Sequence, residues 1–142
     1  MLGIHLGPSS GAAATLAALG RAMAIIEFDP KGKILTANEN FCAALGYRLE
    51  EIKGQHHSMF VDPAYARSPE YAAFWAKLGR GEFDAQEYLR IGKGGAEVWI
   101  QASYNPVRDA KGRVVRVVKA ATVITAEKLR NASKFNQGYA TT

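Results

Sequence analysis

The sequence has a single cysteine, Cys42, among its 142 residues. One thiol can build neither a disulfide framework nor a cysteine-based zinc site. No His-x-x-x-His spacing offers a helical metal pair. The glycine run Gly92-Lys93-Gly94-Gly95 lacks the Gly-Lys-Ser/Thr that opens a helix in a phosphate loop, so it reads as a hairpin turn. Ser58 lies beside His57 in sequence, which is no evidence of a spatial triad. No enzyme constellation is left, and the chain is read as non-enzymatic. Long apolar runs are missing too. The longest near the start, Gly11 to Leu19, is far short of the roughly 20 residues a spanning helix needs. Basic residues do not lead it, since the first is Arg21. The expectation is a soluble, cytoplasmic chain with no direct membrane insertion.

What remains is ordinary for a globular chain: 48% hydrophobic and 22% charged residues. Such a length suits one domain with its own core. The net charge is +5. Residues 1–65 hold 5 basic and 6 acidic side chains, whereas 66–142 hold 13 and 7. Within 108–134 there are 8 basic and 2 acidic. Arg116 and Lys119 fall on opposite strand faces, and no aromatics interleave with the basic residues. The excess therefore reads as a solvated rim and tail, and no nucleic acid is expected.

Met1 to Ser10 reads as a loose leader, with a short helix over 12–22. Met23 to Phe28 is apolar and β-branched; Asp29-Pro30-Lys31-Gly32 then turns it onto Lys33 to Thr36. Asn38 can cap a helix carrying Phe41 and Leu45, with Gly46 as its stop. Ser68-Pro69-Glu70 joins a hydroxyl cap, a first-turn proline and an early acid. Tyr71, Phe74, Trp75 and Leu78 follow at i, i+3, i+4 and i+7, so one face is buried. From Glu82 the period becomes 2, with Phe83, Ala85, Leu89 and Ile91 alternating with polar neighbours. Val98, Ile100, Ala102 and Tyr104 share one strand face; Trp99, Gln101 and Ser103 share the other. A long strand over 114–124 precedes a helix over 126–134, and Phe135 to Thr142 reads as frayed. Short turns make the late strands antiparallel neighbours. The expected class is α+β: one five-stranded antiparallel sheet, with short helices on one face and flanking terminal helices.

Several words in this order resemble a PAS domain over about residues 22–125. They are Ile26-Glu27-Phe28-Asp29, Gly32-Lys33-Ile34-Leu35, Ala37-Asn38-Glu39-Asn40-Phe41, Leu45-Gly46-Tyr47 and Glu50-Glu51-Ile52-Lys53-Gly54. Later come Gly92-Lys93-Gly94-Gly95, Val98-Trp99-Ile100 and Ala102-Ser103-Tyr104-Asn105-Pro106. The middle, from His56-His57-Ser58-Met59-Phe60 through Asp62-Pro63 to Phe74-Trp75, is similar to the sensor modules of bacterial chemotaxis, aerotaxis and biofilm-dispersal transducers. The resemblance implies a sensory input domain with a pocket for a cofactor or small ligand. It also implies coupling to a chemoreceptor signalling domain. Homodimerisation is expected through terminal helices or the outer sheet face.

An imidazole aimed into an apolar pocket can ligate haem iron. The resemblance carries that role onto His57, with His56 as the alternative. Met59, Phe60, Phe74, Trp75, Leu78 and Asn38 complete the expected pocket. Haem b, sensing oxygen or redox state, is the first cofactor. FAD is the alternative: of the flavin-holding word of aerotaxis receptors only His57 and Pro63 survive here, with Val61 and Asp62 at its basic and histidine positions. A cofactor-free interaction module is the third reading. Cys42 reads as an inert core thiol. Trp99, on the outer face, needs a covering helix or a second protomer. Thr125 is expected to cap the last helix, which starts at Ala126.

Overall fold

The computed structural model describes residues 2–141, with side chains described for 11–133. Helix α1 (Leu2–Ala22) leads into β1 (Ala24–Phe28) and β2 (Ile34–Ala37). Short helices α2 (Glu39–Leu45) and α3 (Leu49–Ile52), a 3-10 turn at His57–Phe60 and helix α4 (Pro63–Ala66) follow. Helix α5 (Pro69–Gly79) then leads to β3 (Asp84–Ile91), β4 (Glu97–Arg108), β5 (Val114–Val123) and α6 (Thr125–Thr141). The five strands form one sheet in the order β2-β1-β5-β4-β3, and all pairs are antiparallel.

The turn chemistry acts as its residues suggest. Asp29 Oδ1 accepts from the Lys31 and Lys33 amides, both at 2.9 Å, and closes the β1–β2 turn. Gly32 ends that turn at φ 99, and a Cβ there would stand 2.7 Å from His56 Nε2. Only glycine relieves both the backbone and the contact. Ser68 caps α5 by accepting from the Tyr71 amide at 3.2 Å. Asn38 caps α2 through the Phe41 amide at 2.9 Å and also accepts from the Ile25 amide. Its amide nitrogen donates to Gly20 and Met23 carbonyls at 3.0 Å. One side chain thus ties the end of α1 to β1 and α2.

The core lies between the sheet and helices α2 to α5. Ile26, Phe28, Ile100, Tyr104 and Val117 face Phe41, Ile52, Phe60, Trp75 and Leu78. At about 25 cal/mol per Å² of apolar area removed from water, each such side chain contributes on the order of 2 kcal/mol. Ala24 pairs with Ala121 across β1 and β5, so α1 arrives and α6 leaves at the same end of adjacent strands. Among the described residues no helix is long and apolar enough to cross a membrane.

Four expectations need correction. The leader is helical: α1 starts at Leu2 and runs without a break to Ala22, while Met1 lies outside the described residues. The last helix runs on to Thr141, through the segment expected to fray. The alternation of β3 is inverted, since Asp84 and Arg90 are buried and Phe83 is 65% exposed. The polar partners of the inward face, described below, decided that register. Thr125 is the first residue of α6, and its hydroxyl accepts from the Trp99 amide at 3.0 Å. It latches α6 to β4 in place of capping. The Ile124 amide donates to the Trp99 carbonyl at 2.8 Å, completing the latch. Lys128 places its ammonium 4.7 Å from the Trp99 ring centroid and pairs with Glu87 at 2.6 Å. The start of α6 is therefore the cover over Trp99.

Candidate functional site: a histidine clamped in an aromatic core

The 3-10 turn at His57–Phe60 hangs from the first hairpin. Its His57 amide donates to the Gly32 carbonyl at 2.9 Å. This fixes the two histidines in opposite directions. His56 is exposed; its Nδ1 accepts from the Ser58 amide at 3.0 Å. Nε2 therefore carries the proton and donates to the Lys31 carbonyl at 2.8 Å. His56 is a turn brace. His57 is 0% exposed and is the one that faces inward.

Both nitrogens of His57 are engaged. Nδ1 is 2.7 Å from the Tyr71 hydroxyl on α5, and Nε2 is 2.9 Å from the Tyr104 hydroxyl on β4. Arg90 Nη2 donates to the same Tyr104 oxygen at 3.0 Å. Tyr104 is 0% exposed and accepts from Arg90, so its own proton goes to the acceptor within reach, His57 Nε2. Nδ1–H then donates to Tyr71. The order Arg90, Tyr104, His57, Tyr71 is a directed chain from the sheet to a helix. Phe28, Phe60, Phe74 and Trp75 surround the imidazole, with ring centroids between 5.3 and 6.2 Å. Burial, then the charges of Lys119, Arg90 and His56, holds the His57 pKa well below the usual histidine range. The ring is neutral at pH 7, as the chain of donors requires. Burial pushes the Tyr71 hydroxyl up to about 12 and raises Tyr104 as well, so both stay protonated.

The inward face of β3 completes the polar set. Arg90 stacks 4.3 Å from the Tyr88 ring centroid, donates from Nη1 to the Leu89 carbonyl at 3.2 Å, and leaves Nε buried without a partner. Asp84 accepts from Lys77 at 3.2 Å, from Gln86 at 3.1 Å and from the Tyr88 hydroxyl. Burial pushes the Asp84 carboxyl up; the Tyr88, Gln86 and Lys77 partners outweigh it and hold it below the usual range. Lys119 of β5 is 1% exposed, with its ammonium 4.9 Å from the Tyr104 centroid and 5.6 Å from Phe41. Burial and Arg90 lower its pKa well below the usual lysine range. Lys119, which lies in the basic segment assigned to a solvated rim, is in the core, and Arg90 is buried beside it.

Of the expected pocket residues, His57, Phe60, Phe74, Trp75 and Leu78 meet in this core. Met59 is half-buried and packs at its margin, along an open groove with Gln55, His56, Pro63 and Arg67. Asn38 is elsewhere: it lines a groove between α1 and the first hairpin, with Ala13, Leu16 and Ile25. Sequence reasoning missed Tyr71 as a polar partner, and missed Tyr104, Arg90, Lys119 and Asp84 altogether. Arg90 and Asp84 share a strand face with Tyr88, but the partners that turn this face inward stand on β4 and α5, outside any pattern within the strand. Cys42 is half-buried, and its thiol is pushed up first by burial and then by Glu50 and Glu39, which suits an inert role. No group of three or more His, Cys, Asp or Glu side chains able to hold a metal occurs among the described residues.

An axial haem ligand needs a free imidazole nitrogen pointing at the iron. Tyr71 and Tyr104 take both, so the residues as arranged do not fit a haem.

The topology has known relatives. The PAS fold family matches residues 34–121, and the chain belongs to that family. It is 50% identical over 111 residues to the biofilm dispersion protein BdlA of Pseudomonas aeruginosa, covering 78% of this chain and 27% of that one. It is 32% identical over 84 residues to the aerotaxis receptor of Escherichia coli, covering 58% of this chain and 16% of the receptor. The chain thus spans about a quarter or less of these relatives. A solved light-oxygen-voltage domain superposes with a TM-score of 0.67 at 23% identity, over 89% of this chain and 96% of that one.

Proposed function

We propose that this chain is the non-enzymatic sensory input module of a cytoplasmic chemoreceptor-type transducer, and that His57 is its signal-responsive group. The observation that carries this reading is the double clamp. His57 joins Tyr71 on α5 to Tyr104 on β4, and β4 holds the start of α6 through Trp99 and Thr125. A change at the imidazole thus has a continuous route from the helices to the exit helix. Similarity to BdlA and to an aerotaxis receptor supports a transducer context.

The finer readings differ in what reaches His57. Oxygen or redox sensing through haem b draws on the aromatic shell around His57. The clamp opposes it, because one tyrosine must first release the ring. FAD has less in its favour, since Val61 and Asp62 stand where the flavin-holding word has its basic and histidine donors. The occupied nitrogens favour a resting state without a cofactor. An absorption spectrum of protein purified with haem supplied decides between them. A Soret band lost in His57→Ala but kept in His56→Ala supports haem; no band overturns it.

The sensory reading itself is tested by fusing the chain ahead of a methyl-accepting signalling hairpin and measuring kinase output. His57→Ala is expected to shift output while His56→Ala leaves it in place. Equal output from wild type and His57→Ala overturns the reading. Dimerisation is the expected assembly. Leu16 and Leu19 on α1 and Leu129 on α6 are 44%, 50% and 64% exposed, an apolar surface suited to a second copy. A mass that falls to one chain in Leu16→Glu and Leu19→Glu supports it; a wild type monomeric at high concentration overturns it.

A further inference from the structure

Arg90 and Lys119 are buried cations, at 4% and 1% exposure. They stand on β3 and β5, the strands that flank β4, and converge on its Tyr104. Lys119 lies opposite Tyr104 in the β4–β5 register, and Arg90 reaches the Tyr104 hydroxyl from the other side. Among the described residues no carboxylate is within ion-pair distance of either. Asp84, opposite Tyr104 on β3, is already engaged by Lys77, Gln86 and Tyr88. Buried charge without a counter-ion is strongly disfavoured, and proteins normally pair it.

The unused capacity has a shape. A guanidinium grips a carboxylate side-on through Nε and Nη2. In Arg90, Nε has no partner, and Nη2 is held only by the neutral hydroxyl of Tyr104. The neutral oxygen stands where an anionic one would bind better. Phe41, Phe74 and Tyr88 wall the same region, with Phe74 4.9 Å from Tyr104 between centroids. Rings suit a ligand with a carbon body and disfavour a small hydrated anion.

We propose that Arg90, Lys119 and Tyr104 form a binding site for a small organic carboxylate, which takes the two cations as its counter-ions and displaces the Tyr104 hydroxyl from Arg90. No covalent step is involved. The displaced hydroxyl no longer holds His57 in its present tautomer, so binding is transmitted to Tyr71 and α5. This deepens the sensory reading and rests on it, by naming the ligand class.

The test is calorimetric titration of the full chain with acetate, succinate and benzoate, at constant ionic strength, with chloride and inorganic phosphate as comparators. Thermal midpoints are recorded in parallel. Saturable binding of at least one organic carboxylate is expected, weakened tenfold or more in Arg90→Gln and in Lys119→Met. Circular dichroism confirms that both variants fold. No binding by any of the three carboxylates, or affinity unchanged in both variants, overturns the proposal. Phosphate binding as tight as the best carboxylate also overturns it, in favour of a general anion site. Failure here, with the kinase output still shifted by His57→Ala, leaves the sensory reading standing. Carboxylate binding together with equal kinase output from wild type and His57→Ala sinks the sensory reading and leaves the binding site standing.

Discussion

Tyr104 and His57 are 47 residues apart in the chain and meet at 2.9 Å between hydroxyl and Nε2. Because Arg90 donates to the same oxygen, one phenol sets the tautomer of the imidazole and occupies a buried guanidinium at once.

Tyr104→Phe removes both bonds and keeps the ring. Arg90 and His57 are then left with buried, unmatched groups, each costing about 1–3 kcal/mol. A loss of about 2–4 kcal/mol in urea unfolding is expected on that basis, non-additivity included. Tyr71→Phe removes one bond, at the helix end of the network, and costs less. Equal losses in the two variants would argue against the directed chain.

Stability should fall on mild acidification because of His57. Its folded pKa is lowered by burial, so the folded chain stays unprotonated where the unfolded chain takes up a proton. The stabilising contribution is complete above the unfolded value of about 6.5 and is lost as pH drops below it. The slope is up to about 1.4 kcal/mol per pH unit for one proton. His57→Gln should flatten the profile of unfolding free energy between pH 5 and 6.5. An identical slope in the variant would assign the effect elsewhere.

Lys119 runs by the same sign over a higher window. Burial, then Arg90, lowers its folded pKa, so between the folded and the unfolded values the unfolded chain binds the extra proton. Stability should therefore rise as pH climbs towards the ordinary lysine value of about 10.4. Lys119→Met, of similar length and uncharged, should be more stable than wild type at pH 7, by about 1–3 kcal/mol. That gain should shrink towards pH 10. A destabilised variant at pH 7 would show that the ammonium is matched in the folded state.

Thr125→Val deletes the hydroxyl that accepts from the Trp99 amide. A cost of about 1 kcal/mol is expected. Faster hydrogen exchange at the Trp99 amide and a shift in tryptophan emission should accompany it, because Lys128 loses its place over the ring. Unchanged exchange at Trp99 would mean that the Ile124 contact alone holds α6.

Much of the fold could be read directly from the sequence. Asp29-Pro30-Lys31-Gly32, Asn38 and Ser68-Pro69-Glu70 each impose a local geometry on their own, and each does so here. Val98 to Tyr104 gave the correct face of β4, because burial there follows apolarity. It failed on β3. Apolar alternation pointed Phe83 and Ala85 inward, whereas the true inward face is satisfied by Tyr104, Lys77 and a stack between Arg90 and Tyr88. Partners from distant strands decided that register, and spacing along one strand does not contain them. The histidine pair was the correct place to look. Which histidine turns inward depended on the Gly32 carbonyl and the Lys31 carbonyl, two contacts that no local pattern encodes.

The pairing of Ala24 with Ala121 places the entry to β1 and the exit from β5 side by side. A unit whose ends share one location can be spliced into a longer polypeptide, or duplicated in tandem, while the segments before and after it stay close to where they were. Such a unit behaves like a bead that can be added to a string without cutting the string's path. Any rotation between β1 and β5 would then appear as a change in the angle between two emerging rods, with little movement of either attachment point.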